Sequence, residues 1–290
     1  MGVKTRPPAK QDSIIDGLRQ QIISGNWGPG HRVPPRAELE RHLEASSVTI
    51  QRAFARLEED GFITVNARSG TYVAEKPPHL HHYILSFPYK VGQPGWVRFW
   101  TALSGAAARK SESGAVRISC YTGVEKPEQP EYRRLVEDVR AHRLAGLIFG
   151  CDPWPMEGAE FLTAPWLPRV AFMNRPEFTG AAQVALGGFD SSSFFEKAIK
   201  HLLGRGRRRI ALLSVPGISG HRLDAYRKQL VALGLPVDPC WMQTATQAEP
   251  QWATNLIMLL FKGRPEDRPN GLIIADDNLV EHACARLMQA

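Results

Sequence analysis

From Gln11 onward apolar residues recur at helical spacing. Ile14, Ile15, Leu18, Ile22 and Ile23 follow Asp12 or Ser13, either of which can cap a helix. Gly25 ends that helix, and Asn26-Trp27-Gly28-Pro29-Gly30 is turn chemistry. A second, short helix carries Leu39 and Leu43, with Pro35 near its start, where a missing N–H costs nothing. After the turn Glu44-Ala45-Ser46 a third helix is predicted from about Ser47 to Asp60. It rests on Ile50, Ala53, Phe54 and Leu57, with Gly61 as its stop. Phe62–Val65 and Thr71–Val73, separated by Asn66-Ala67-Arg68-Ser69-Gly70, read as a hairpin.

Three helices and a hairpin, with a tight turn between helices two and three, are the layout of a winged helix-turn-helix. In it the third helix reads the major groove and the hairpin is the wing. Pro77-Pro78-His79-Leu80-His81-His82 then reads as a solvated linker stiffened by proline. Its three histidines have no acidic or cysteine partner nearby, so no metal is assigned to them. From Tyr83 the pattern changes again. Short continuous apolar runs at 83–87, 116–120, 146–150, 169–173, 210–213 and 271–274 alternate with helical segments at 96–109, 130–142, 191–203, 223–233 and 252–261. Such strands imply parallel sheets covered on both faces. The expected fold class is α/β overall: a head at 1–76, a linker at 77–82 and a parallel-sheet domain at 83–290.

Composition narrows this picture. A chain of 290 residues with 43% hydrophobic residues is long enough for roughly two domains of about 100–200 residues. The longest apolar run, Ile257–Phe261, is far short of the ~20 residues of a membrane span. Met1-Gly2-Val3-Lys4-Thr5-Arg6-Pro7-Pro8 has no apolar core, so no secretory leader and a cytoplasmic location are expected. Cys120, Cys151, Cys240 and Cys284 are far apart and read as reduced core thiols. The net charge of +7 is not itself a nucleic-acid signature, because residues 1–76 hold 11 Lys+Arg against 9 Asp+Glu. Phosphate binding rewards placement of cations rather than their sum.

Placement is where a resemblance enters. The run from Gly30-His31-Arg32-Val33-Pro34-Pro35-Arg36 through Glu38-Leu39, Leu43, Ser46-Ser47, Thr49-Ile50 and Ala53-Phe54 resembles the GntR family of bacterial regulators. Leu57, Gly61, Ile63 and Gly70-Thr71-Tyr72-Val73 continue the match to the wing. The resemblance implies a DNA-reading head. In that family arginines at the positions of Ala37, Ser47 and Gln51 contact DNA, together with a glycine-containing wing tip. This sequence departs at all three arginine positions and carries Arg68 in the wing, so a different operator is implied. The candidate DNA-binding set is Arg36, Ser46, Ser47, Thr49, Gln51, Arg52, Arg68 and Gly70. Hydroxyls and backbone N–H groups at the start of the helix suit phosphates, and Gln51 and Arg52 suit base edges.

A second resemblance covers the rest. Ala198-Ile199-Lys200-His201-Leu202-Leu203-Gly204-Arg205-Gly206-Arg207-Arg208-Arg209-Ile210-Ala211 is similar to the LacI/GalR effector domain. So are Arg222-Leu223-Asp224-Ala225-Tyr226, Leu235-Pro236-Val237-Asp238 and Gly271-Leu272-Ile273-Ile274-Ala275-Asp276. It implies a two-lobed, periplasmic-binding-like domain whose ligand sits at the carboxyl ends of the strands. Tyr89, Asp152, Asn174, Asp190, Arg222 and Asp276 are the candidate effector contacts, with Trp154, Arg175 and Asp277 nearby. Blander roles stand beside these: a structural ion pair for Arg222 and a helix cap for Asp190. Arg205–Arg209 reads as a solvated loop, and Gly204-Arg205-Gly206 is too weak for a nucleotide fingerprint. No cofactor is expected. Effector domains of this kind normally continue past the Asp276-Asp277 strand, so an incomplete second lobe and compensating dimerisation are expected. Together these features predict a repressor of a sugar-utilisation or related operon. Its partners would be a palindromic duplex operator and a small, sugar-like effector, bound by a homodimer. The alternatives are a DNA binder without effector response, or a sugar- or nucleotide-modifying enzyme, for which no catalytic motif is found.

Overall fold

The computed structural model describes residues 10–153, 158–172, 184–188, 191–216 and 220–288. In the head, α1 (Lys10–Ile23), α2 (Arg36–His42) and α3 (Ser47–Glu59) precede β1 (Ile63–Asn66) and β2 (Gly70–Val73). The two strands pair antiparallel, from Ile63 opposite Val73 to Asn66 opposite Gly70. The apolar positions predicted from spacing form one cluster: Ile14, Leu18, Ile22, Ile50, Phe54, Leu57 and Phe62 are all buried. The first helix already includes Lys10, ahead of the expected cap at Asp12 or Ser13. Asp60 ends α3 as its C-cap, its N–H donating to the carbonyl of Arg56.

The segment 77–82 is not a solvated tether. Pro77 is buried, and Pro78–His81 form a helical turn, α4. His79 stacks on Phe62 of the head at 5.8 Å. His82 opens a strand and is itself buried. The polar composition of this stretch hid the fact that the His79 ring packs flat on Phe62 and that His82 is hydrogen-bonded inside the first lobe.

The remainder builds two parallel sheets. The first follows β3 (His82–Phe87), α5 (Arg98–Glu112), β4 (Arg117–Thr122), α6 (Pro130–Arg140), β5 (Gly146–Phe149), α7 (Glu160–Thr163), β6 (Arg169–Phe172) and β7 (Ala185–Gly187). Its strand order is β4-β3-β5-β6-β7. The second follows α8 (Ser191–Gly204), β8 (Ile210–Ser214), α9 (Gly220–Ala232), β9 (Met242–Thr244), α10 (Trp252–Leu260), β10 (Gly271–Ile274) and α11 (Asp277–Leu287), in the order β10-β8-β9. Every pairing in both sheets is parallel. The central strands are apolar runs, as β8 shows by being buried along its whole length. Of the four cysteines, Cys120, Cys240 and Cys284 are exposed and only Cys151 is drawn inward, so the expectation of core thiols fails for three.

The lobes meet at the carboxyl ends of their strands. The first residue of α5, which follows β3, lies against the start of α11, which follows β10. Arg98 N–H donates to Asn278 Oδ1 at 3.0 Å, and the Arg98 guanidinium pairs with the Glu281 carboxylate. The head joins the opposite, amino-terminal end of the first sheet.

Candidate functional site

The reading face of α3 is set by its amphipathicity. Burying Ile50, Ala53, Phe54 and Leu57 against α1 leaves Ser47, Val48, Gln51 and Arg52 exposed on the other side. Val48 is 57% exposed, unusual for a β-branched apolar residue on a helix and suited to contact with a thymine methyl. Ser46 caps the helix: its Oγ accepts from the Thr49 N–H at 3.2 Å and lies 2.8 Å from Thr49 Oγ1. Ser46 and Thr49 therefore fix the helix start as well as lying at the reading surface. Arg36, at the start of α2, has its guanidinium 5.5 Å from the Phe54 ring centre, which sets its direction beside the reading helix.

The wing tip is built by local bonds. Asn66 Oδ1 accepts from the Arg68 N–H, and the Tyr72 hydroxyl donates to the Ser69 carbonyl. Gly70 has φ +111°, a conformation that L side chains rarely adopt. A Cβ there would stand 3.4 Å from Arg32 Nε. Arg32 itself pairs by its backbone with Tyr72, adding a cation to the base of the wing. Arg32, like Val48, lies on this face and is missing from the candidate set. Its position between Gly30 and Val33 in the family pattern was the available signal. The structure thus brings Arg36, Ser46, Ser47, Thr49, Gln51, Arg52, Arg68 and Gly70 onto one head, with exposed arginines at both sides of the helix.

At the other end of the first lobe, the crevice wall is aromatic. Phe87 lies 5.1 Å from Trp96 and 5.6 Å from Trp100, Tyr89 lies 6.1 Å from Trp100, and Phe99 lies 5.9 Å from Phe172. Both indole donors are satisfied, Trp96 by Thr101 Oγ1 and Trp100 by the Gly150 carbonyl; Trp100 is buried with Phe87, while Trp96, Phe99 and Tyr89 stay half-buried beside them. Trp96 and Phe99 are absent from the candidate effector set, and their place just after the first strand was the available signal. The Cys151 thiol is pushed up to about 12 by burial and then by the Asp152 charge, which leaves it inert as a nucleophile.

Tyr89 and Asp152 lie at this end of the sheet, half-buried. Asp276 lies across the crevice but caps α11. Its Oδ1 accepts from the Asn278 N–H at 3.0 Å and from Asn278 Nδ2 at 2.8 Å, and its Oδ2 accepts from Gln247 Nε2 at 2.7 Å. A structural role therefore occupies this carboxylate. Asn174, Arg175, Trp154 and Asp190 lie outside the described residues, as does the side chain of Arg222. Among the described residues no three His, Cys, Asp or Glu side chains cluster to hold a metal, and no helix is long and apolar enough to cross a membrane.

Residues 10–73 match the family described as bacterial regulatory proteins, gntR family. Over 56 residues the chain is 46% identical to a histidine utilization repressor of Pseudomonas putida, covering 19% of this chain and 23% of that protein. It is 35% identical over 75 residues to the HTH-type transcriptional regulator TauR of Rhodobacter capsulatus, covering 24% of this chain and 16% of that one. The match thus spans about a quarter of the length of the repressor, and less of TauR. Among solved structures, a regulatory protein of the LacI family from Chloroflexus aggregans aligns with TM-score 0.54 and 18% identity, over 72% of this chain and 73% of that one. A LacI-type transcriptional regulator from Bacillus cereus subsp. cytotoxis aligns with TM-score 0.52 and 14% identity, over 72% and 73%. The head is therefore a GntR-type helix-turn-helix domain, and the remainder has the parallel-sheet fold of LacI-type regulators.

Proposed function

We propose that the protein is a ligand-responsive, sequence-specific DNA-binding transcriptional regulator, acting as a repressor. The observation that carries this is the reading helix: its apolar face is buried in the head, while Ser47, Val48, Gln51 and Arg52 stand exposed between Arg36 and the Arg32–Arg68 wing. Two such heads in a homodimer would grip a palindromic operator in the cytoplasm, the wings following the backbone and Gln51 and Arg52 meeting base edges. The effector enters the crevice between the lobes. A sugar-like ring fits the half-buried faces of Trp96, Phe99 and Tyr89, with Asp152 as a hydroxyl acceptor. The likeness to histidine utilization repressors lies in 56 residues and supports DNA reading, not a choice of ligand.

The test is selection of duplexes from a random library, followed by gel-shift titration at several salt concentrations. Steeply salt-dependent, sequence-specific binding is expected. Gln51→Ala and Arg52→Ala should each weaken the selected duplex by about 1–3 kcal/mol and relax preference at one base position. Binding that is absent, or unchanged between low and high salt, would overturn the reading.

A further inference from the structure

The junction between head and first lobe is a chain of charged groups withdrawn from solvent. At its centre is Asp60, the residue that ends the reading helix, with its side chain 2% exposed. Asp60 Oδ2 accepts from Arg19 Nη2 of α1 at 3.1 Å and faces Arg56 Nε of α3 at 3.4 Å. Its other oxygen, Oδ1, accepts at 2.7 Å from Nη1 of Arg143, which lies in the loop between α6 and β5 of the first lobe. The same guanidinium donates from Nε to Asp138 Oδ1 at 2.7 Å, and Asp138 Oδ2 in turn accepts from the Tyr121 hydroxyl on β4 at 2.7 Å. One planar group thus forks between two carboxylates, one on each domain, a geometry that a lysine point charge cannot reproduce.

Three further features converge on this point. His142, the residue before Arg143, has φ +51°, rare for a residue with a Cβ, and turns the chain just ahead of the guanidinium. Its ring stacks on Trp166 at 4.2 Å, which holds that backbone turn in place. Around the fork, His79 stacks on Phe62, and Lys76 Nζ donates to the Gly114 carbonyl. The interface between the domains is therefore polar and specific in direction, not a greasy patch. Buried ionic groups of this sort serve to favour one arrangement over its neighbours, and removing one partner leaves the other charge buried and uncompensated.

We infer that Arg143 is a positioning residue that docks the reading helix onto the first lobe, so that movement of the effector domain reaches DNA through Asp60 rather than through a flexible tether. This deepens the regulator reading and rests on it. The route is short: a shift of α6 or β4 moves Asp138 or Tyr121, hence Arg143, hence the carboxylate at the end of α3.

The test uses the full chain, as wild type, Arg143→Ala and Arg143→Lys. Three readouts are taken: hydrogen exchange of segments 74–82 and 141–145, melting of the head, and affinity for selected duplexes whose half-site spacing is varied. Arg143→Ala is expected to speed exchange in both segments by at least about tenfold. It should also flatten the spacing preference to within about twofold and lower head melting by removing a partner of Asp60, while single half-site binding stays as in wild type. Arg143→Lys, which keeps the charge but loses the fork, should move the same way with smaller amplitude, so the proposal stays testable if Arg143→Ala does not fold. Unchanged exchange and an unchanged spacing profile in both variants would overturn it. If the wild type binds no duplex, the regulator reading falls and takes the coupling with it. If the wild type binds and the variants match it, the coupling alone falls.

Discussion

His82 shows how a single side chain ties the first lobe, at the end where the head docks, to pH. Its Nδ1 stands 3.2 Å from the Arg143 carbonyl, so it carries the proton and donates; Nε2, 2.9 Å from Ser119 Oγ, accepts from that hydroxyl. Both bonds belong to the neutral ring. Burial, and then the charge of Arg117, hold its pKa at about 4, below the ordinary 6.5. His79 and His142 are lowered too, in each case first by burial. The unfolded chain therefore takes up protons before the folded one. Between pH 6.5 and about 4 stability rises with pH, and it is lost as pH falls through that window. His82 alone should cost on the order of 3 kcal/mol across it. Chemical denaturation at intervals from pH 7 to 4 should show this slope, and His82→Gln should flatten it; an equal slope in the variant would sink the assignment. None of this was legible from the sequence. A run of three histidines beside two prolines reads as polar linker, because burial by neighbours distant in sequence leaves no local trace.

Elements were far more legible than side-chain roles. The third helix was predicted from Ser47 because Ile50, Ala53, Phe54 and Leu57 share one face, and that face is the buried one. The β10 strand matched its predicted bounds, Gly271–Ile274, because four apolar residues stand between polar turns. β7 and β9 escaped notice: Ala185-Leu186-Gly187 and Met242-Gln243-Thr244 are short, and their apolar content is no higher than that of a loop. They become strands because an existing parallel edge offers unpaired N–H and C=O groups, a tertiary cause rather than a local one. Ser46, which the sequence reads as a turn residue and a phosphate contact, is in the structure also the cap of α3. Replacing Ser46 with Ala should lower head stability by about 1 kcal/mol, whereas Ser46→Gly should cost a few tenths. Thermal melting of the two variants checks the order. Equal losses would mean that Ser46 serves the surface alone and not the helix start.

At the scale of the whole molecule the question is which positive charges can meet DNA. Of the net +7, residues 1–76 hold only two charges' worth. The densest basic run, Arg205-Gly206-Arg207-Arg208-Arg209, precedes β8 at the amino-terminal end of the second sheet. The lobes join at their carboxyl ends, through Arg98 against Asn278 and Glu281, and the head docks on the amino-terminal end of the first sheet. The run and the head therefore lie at opposite poles. Arg209 is also committed elsewhere, its guanidinium donating to the carbonyls of Arg268 and Pro265. With Arg52 at a base edge, phosphate affinity should then draw on Arg32, Arg36 and Arg68, three cations on each head. With a slope of about −0.9 per neutralised phosphate, a dimer should show a log–log salt dependence of about −5. Arg68→Ala should reduce that magnitude by about 1 per head. The pair Arg205→Ala and Arg208→Ala should leave it unchanged, although both changes remove the same kind of charge. Fluorescence anisotropy on one duplex between low and moderate salt measures all three slopes. A drop in the double variant equal to that of Arg68→Ala would mean that the second lobe also lies against the DNA, and the polar arrangement of head and lobes would have to be abandoned.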